Sequence, residues 1–259
     1  MILFVFVICF AASCIGGICG IGGGVVIKPL LDAVSIMPVS AVSFLSGLTV
    51  FSMACVNIWK NRRENELEPA RSLPLGIGAA AGGIAGKYLF NALKDHLKAD
   101  RTVGAVQACV LALMVLGTLV YVLRKERIRT KNVKGKALPT VIGLFLGCCS
   151  SFLGIGGGPM NLAVLYYFFS MDTKKAAVNS ILIILLSQLA SLLVSIVTGT
   201  VPAFSWGYLA AMASAGILGG FLSAKLHKKL SASVTDKLFI GLLTVILGIC
   251  VCNTVTLLR

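Results

Sequence analysis

Charge is what this sequence has least of. Only 12% of its 259 residues are Asp, Glu, Lys or Arg, where a water-soluble domain carries about 25%. Acidic residues are the scarcer sign: nine Asp and Glu stand against 23 Lys and Arg, with two His. A chain this poor in charge cannot cover a water-facing surface, which excludes a soluble globule. The apolar segments also lack any cluster of acids, bases, nucleophiles or metal ligands, which argues against an enzyme. The nine Cys show no zinc-type spacing and lie inside apolar runs, where they read as small buried side chains. Nothing in the sequence requires a cofactor. No soluble domain is appended, and the longest polar stretches, 60–71 and 124–136, read as loops.

What fills the chain instead is apolar: 58% of residues, with a mean hydropathy of +0.97. Runs with almost no charge lie at 1–27, 37–59, 72–93, 102–123, 137–170, 176–199, 203–224 and 238–258. Most hold about 20 residues, enough to span a bilayer as one helix. They are continuous rather than alternating, which excludes the strands of an outer-membrane barrel. The fold class is therefore all-α, a polytopic membrane protein. The opening, MILFVFVICFAASCIGG, mimics a signal peptide but has no basic n-region, so it reads as the first membrane segment.

Two of the runs are too long for one span and are interrupted by the same pentad, GIGGG, at 20–24 and 154–158. If each broken run enters and returns on one side, loops 60–71, 124–136, 170–175 and 225–237 share a side and hold 17 of the 23 basic residues. If the second run crosses instead, the split becomes 11 against nine. The positive-inside rule favours the re-entrant reading. It makes 124–136 a basic cytoplasmic linker and places both termini on the non-cytoplasmic face of the inner membrane. The basic loops then meet anionic lipids, and the net charge of +14 gives no reason to invoke nucleic acid.

The pentads lie 134 residues apart, about half the chain. SAVSFL at 40–45 pairs with AAVNSI at 176–181, which aligns Ser43 with Asn179; GGIAGKYL at 82–89 resembles AGILGGFL at 215–222. The chain divides into a first repeat, 1–123, and a second, 137–259. The first holds a broken hairpin, 1–36, and spans 37–59, 72–93 and 102–123. The second holds a broken hairpin, 137–170, and spans 176–199, 203–224 and 238–258. Three full spans per repeat is an odd number, so the two repeats are inverted relative to one another. That architecture recurs in secondary transporters, with substrate near the midplane at the repeat interface.

Glycine permits backbone conformations that other residues avoid, so GIGGG can break a helix. The freed N–H and C=O groups survive in a membrane only where they face protein or a wet cavity. The second arm of each hairpin starts at the break, and helix N-termini attract anions. Gly20, Gly22, Gly23 and Gly24, with Gly154, Gly156, Gly157 and Gly158, are therefore candidate substrate-binding positions. Glycines in GAAAGGIAG at 78–86 and SAGILGG at 214–220 read as close-packing positions between helices.

The doubled G-x-G-G-G, the Ala-Val-(Ser/Asn) start of the following helix at 41–43 and 177–179, and the small-residue helices 76–90 and 207–222 together resemble the sulfite exporter TauE/SafE family, also called the toluene sulfonate uptake permeases. The resemblance covers essentially the whole chain. It implies a carrier of sulfite, sulfonates or related organosulfur anions, working by alternating access. Where the family often shows Thr-Ser, this chain has Phe44 and Leu45, while Asn179 and Ser180 keep polarity in the second half. The alternatives are a passive anion channel, a carrier of an unrelated small metabolite, and a membrane-embedded thiol enzyme using Cys14 and Cys148. Substrate, direction, coupling ion and oligomeric state stay open, and a homo-oligomer is compatible with all of this.

Further candidates follow from polar residues inside apolar segments. Lys28 stands four residues past the first pentad, where it can balance an anion, with Asp32 at i+4 to hold it when the site is empty. Ser43 and Asn179 are paired across the repeat. Ser180, and Asn161 just after the second pentad, complete the set. Ser187, Ser191 and Ser195 extend a polar band along one helix, flanked by Gln188, and Ser46 accompanies Ser43. His96 and His227 read as solvated loop residues.

Overall fold

The structure is a computed structural model that describes residues 1–34, 36–62, 66–97, 100–133, 135–155 and 157–258. Among these residues the chain forms ten α-helices: α1 (Ile2–Cys19), α2 (Gly24–Val34), α3 (Val39–Asn61), α4 (Pro69–Leu97), α5 (Asp100–Arg124), α6 (Ala137–Leu153), α7 (Pro159–Phe169), α8 (Thr173–Val197), α9 (Trp206–Lys229) and α10 (Ala232–Leu258). Seven are long and apolar enough to cross a membrane: α1, α3, α4, α5, α8, α9 and α10. The helices α6 and α7 are apolar but shorter. Large apolar side chains such as Leu113, Leu123, Val141, Phe145 and Val245 stand more than half exposed on the outside of the bundle. In water that surface would be a liability; in lipid it is the expected exterior.

Most helices overrun the apolar segments that foretold them. The segment 72–93 lies inside α4, which runs from Pro69 to Leu97, and α9 continues to Lys229. A helix satisfies its own backbone, so it continues past the apolar limit until a cap or loop ends it. The first break also falls later than mid-run. Gly16 and Gly17 stay helical, so α1 keeps 18 residues and reaches about 27 Å.

Both breaks are built the same way. Gly20 closes α1 in the left-handed region at φ 75°, its N–H bonded to Gly16 O, and Ile21 N–H also returns to Gly16 O at 3.0 Å. Gly154 closes α6 at φ 65°, its N–H directed to Ser150 O and Ser151 O, and Ile155 N–H returns to Ser150 O at 3.3 Å. This is the left-handed glycine C-cap, which occupies one terminal carbonyl at the first break, Gly16 O, and two at the second, Ser150 O and Ser151 O. After the first break the chain turns back along α1: Gly22 lies against Gly16 and Gly23 against Ser13. Ile27 and Leu31 then join Val5, Cys9 and Ala12 in one core cluster.

The principal helix pairings are matched between the halves. The contact of α1 with α9 mirrors that of α4 with α6, α3 with α9 mirrors α8 with α4, and α2 with α10 mirrors α7 with α5, while α3–α8 and α5–α10 are self-matched. Glycine makes the tightest of these contacts possible. A Cβ on Gly78, Gly82 or Gly86 would sit about 2 Å from a backbone oxygen of α6, and one on Gly143 or Gly147 would do the same to α4. Both glycine stripes read from the sequence as packing positions have that role here; in the second, Gly216 and Gly220 rest on Thr49 and Met53.

The four basic loops meet at one end of the bundle. Lys175 Nζ pairs with Glu68 at 3.1 Å and Lys125 with Asp236 at 2.6 Å. Arg71 donates to Phe169 O and Lys131 N–H to Tyr167 O. Loops 60–71, 124–136, 170–175 and 225–237 thus share a side, as the re-entrant reading of the second broken run requires.

Candidate functional site

The two breaks, 134 residues apart in sequence, touch in the fold. A Cβ on Gly24, the first residue of α2, would stand 1.9 Å from the carbonyl oxygen of Ile155 and 3.0 Å from Val50. Gly20 lies on Ala177 of α8, and Gly154 lies on Ser43 of α3. One 134-residue shift relates these last two contacts, so in space the counterpart of Ser43 is Ala177. Asn179, its partner in the sequence alignment, sits two residues further on.

Close approach accounts for Gly20, Gly23, Gly24, Gly154 and Gly157, and a left-handed backbone for Gly22. Gly20, Gly154 and Gly157 have positive φ as well. Gly158 differs. It is the extended N-cap of α7, and a Cβ there would find nothing closer than 3.9 Å. Gly156 lies outside the described residues.

Beside the second break is a small cavity of about 20 Å³, walled by Ser43, Ser151, Gly154, Gln188, Ser191 and Lys87. It is large enough for about one water. The hydroxyls of Ser43 and Ser151 are buried there without a hydrogen-bond partner. Lys87 and Phe90 also wall a wider, polar vestibule of about 370 Å³, together with Ser40, Asn91, Lys94, Asp95 and the 200–202 turn. The vestibule lies at the end of the bundle away from the basic loops. A further cavity, of about 580 Å³, is an apolar groove of α5, α6 and α7. Its lining carries no charged residue to hold an anion.

At the basic end the equivalent positions are closed. The same 134-residue shift carries Ser191 and Ser195 back to Asn57 and Asn61. Asn57 Nδ2 donates to Ser223 Oγ at 3.0 Å and Asn61 Nδ2 to Asn57 Oδ1 at 2.8 Å. Asn179 is a clamp here: its Oδ1 accepts from Glu68 N–H and Ser72 Oγ, and its Nδ2 donates to Glu66 O and Lys175 O. His227 corrects an expectation. It is 2% exposed, with Nδ1 3.1 Å from Ile18 O and Nε2 3.2 Å from Glu66 Oε2. The helix α9 runs further than its apolar segment and carries the ring into the bundle. His96, in the last turn of α4, is exposed.

Lys28 stands apart from the cavity. It is 3% exposed and bonded to Asp32 at 2.8 Å, in a separate niche with Gln107 and Asn253. Asn161 and Ser180 are buried in α7 and α8 and do not line the cavity. The residue that sequence reasoning missed is Lys87. The signal was there: it is the one charged residue in the run 72–93, and an ionisable residue inside a membrane segment is a functional candidate by default.

A helical bundle that presents apolar side chains outward, brings two broken helices together at its centre and opens to one side defines a polytopic membrane transporter. The chain belongs to the sulfite exporter TauE/SafE family, whose model matches residues 5–249. That is a family of transporters, not enzymes. No curated protein and no solved structure matches the chain.

Proposed function

We propose that this protein is a secondary transporter of sulfite, sulfonates or related sulfur oxyanions in the inner membrane. It moves them by alternating access around the two meeting glycine breaks. Two inverted repeats, α1–α5 and α6–α10, supply the two gates. The basic end faces the cytoplasm, where its loops also meet anionic lipids, and both termini lie outside.

The observation that carries this reading is the contrast between matched positions in the two halves. On one side, unpartnered polar groups at the second break line a small cavity that shares Lys87 and Phe90 with a wider vestibule. On the other, hydrogen bonds of Asn57, Asn61, Asn179 and His227 tie the matching region together, with Asn61 Oδ1 and Ser13 Oγ left unpartnered. A bundle closed at one end and open at the other is one state of an alternating-access cycle. A passive channel needs a continuous path, and the bonded basic end gives this reading the advantage.

Counterflow tests it. Proteoliposomes loaded with sulfite are challenged with labelled sulfite against thiosulfate, an alkyl sulfonate, sulfate, chloride and a neutral sulfur compound. Saturable trans-stimulated exchange of sulfur oxyanions is the expected result. Flux without saturation or trans-stimulation identifies a channel, and exchange restricted to neutral or cationic solutes removes the substrate class.

A further inference from the structure

We infer that Lys87 is the anion-binding cation of the transport site, and that it holds an SO3 group together with the hydroxyls of Ser43 and Ser151. The inference rests on the transport reading above and says where in the fold the anion sits.

Two lysines among the described residues are buried, Lys28 and Lys87. Lys28 is neutralised by Asp32 at 2.8 Å. Lys87 is 8% exposed and has no hydrogen bond or ion pair among the described residues. Its ammonium has one favourable neighbour, the ring of Phe90, 5.3 Å from Nζ to centroid. A cation–π contact offsets only part of the cost of removing that charge from water. The shortfall is what a bound anion would repay. Lys87 lies in the second half of α4, and Gly86 before it packs on the backbone of Cys148, which fixes this part of the helix against α6.

The other two donors point to the same ligand. Ser43 Oγ and Ser151 Oγ are each buried without a partner, at 7% and 5% residue exposure, and both line the cavity that Lys87 lines. A buried hydroxyl left without a partner destabilises the ligand-free protein. Three unpaired donors from three helices, α3, α4 and α6, converge on one cavity. An SO3 group offers three oxygens, each an acceptor. The remainder of an alkyl sulfonate would extend past Phe90 into the vestibule, where Val201 and Pro202 form part of the wall. Lys94 shares that vestibule with Asp95, so with Lys87 the balance there favours an entering anion. At about 20 Å³ the cavity is too small for an SO3 group, so the gap between α4 and α8 must widen for it to enter.

The test uses purified full-length protein in nanodiscs, with melting temperature read with and without sulfite, methanesulfonate and sulfate, and counterflow read in parallel. Lys87→Met removes a buried charge that has no partner in the ligand-free protein. It should melt at or above the wild-type temperature without anion, lose the anion-induced rise, and lose ~10-fold or more of its counterflow rate, the effect of one charge-assisted hydrogen bond. Lys87→Arg should keep part of both responses. The Ser43→Ala/Ser151→Ala pair should raise the half-saturating anion concentration, and Lys28→Met should leave the anion-induced rise in place.

Counterflow and anion-induced stabilisation within about twofold of wild type in Lys87→Met would overturn the assignment and leave transport standing. Lys87→Met that melts lower than wild type without anion, yet keeps its anion response, shows a structural lysine and also overturns it. Wild-type protein that is stabilised by oxyanions through Lys87 but silent in counterflow keeps the site and removes the transport reading.

Discussion

Gly24→Ala is the sharpest probe of the contact between the two breaks. The added Cβ would lie 1.9 Å from Ile155 O, and ordinary van der Waals contact begins near 3.4 Å. The two backbones must therefore part by about 1.5 Å in an interior that packs like a crystal. Neither partner is the flexible end of a side chain, so the cost falls at or above the upper end for overpacking, about 3 kcal/mol. The better helix propensity of alanine returns at most about 1 kcal/mol. For a chain of this size a net loss of 2 to 3 kcal/mol lowers Tm by roughly 4–12 °C. Gly158→Ala is the matched control: its Cβ would meet nothing within 3.9 Å, its φ of −140° suits any residue, and its Tm should move by about 1–2 °C at most. The assay is thermal unfolding in nanodiscs followed by tryptophan fluorescence, with sulfite counterflow on the same preparations. Gly24→Ala that melts with wild type and transports at the wild-type rate would refute the reasoning, because the breaks could not then be in contact.

Two further predictions concern buried polar groups. Asn179→Ala strips the partners from Glu68 N–H, Ser72 Oγ, Glu66 O and Lys175 O and should cost about 3 kcal/mol; limited proteolysis at residues 66–68 should speed up, and unchanged cleavage with unchanged Tm would show that the clamp contributes nothing. Asp32→Asn leaves Lys28 buried beside a neutral amide. It should cost about 3–5 kcal/mol, whereas the Lys28→Met/Asp32→Leu pair should return close to wild-type stability and retain counterflow; loss of counterflow in the stable double variant would return Lys28 to the transport path.

The broken helices show why some of the site was legible and some was not. GIGGG announces itself because glycine inside an apolar run is costly and needs a reason. Written twice at a 134-residue interval, it also announces two matching places in the fold. Which glycines meet what is a matter of neighbours, and neighbours come from elsewhere in the chain. Gly24 finds Ile155 and Gly20 finds Ala177, contacts that no local pattern encodes. Lys28 illustrates the opposite error. Four residues past a break, it looked like the charge beside the site, yet its i+4 neighbour Asp32 takes it up locally. Lys87, 63 residues past the first pentad, reaches the second one because α4 packs along α6.

The sequence by itself determined the solvent, the element type and which loops gather together. Too little charge for water means lipid, long apolar runs in lipid must be helices, and the distribution of lysine and arginine groups the loops on one face. These are properties of composition and spacing, summed over many residues, so they tolerate local surprises such as the buried His227. Tertiary structure alone decided which polar groups are spent and which are free. Asn179 and Ser43 look alike as polar residues near a helix start. One has both ends of its amide engaged by a neighbouring loop, and the other has a buried hydroxyl beside an unpaired lysine. A hydrogen bond is satisfied within about 3 Å or not at all, and that distance is set by how separate helices pack.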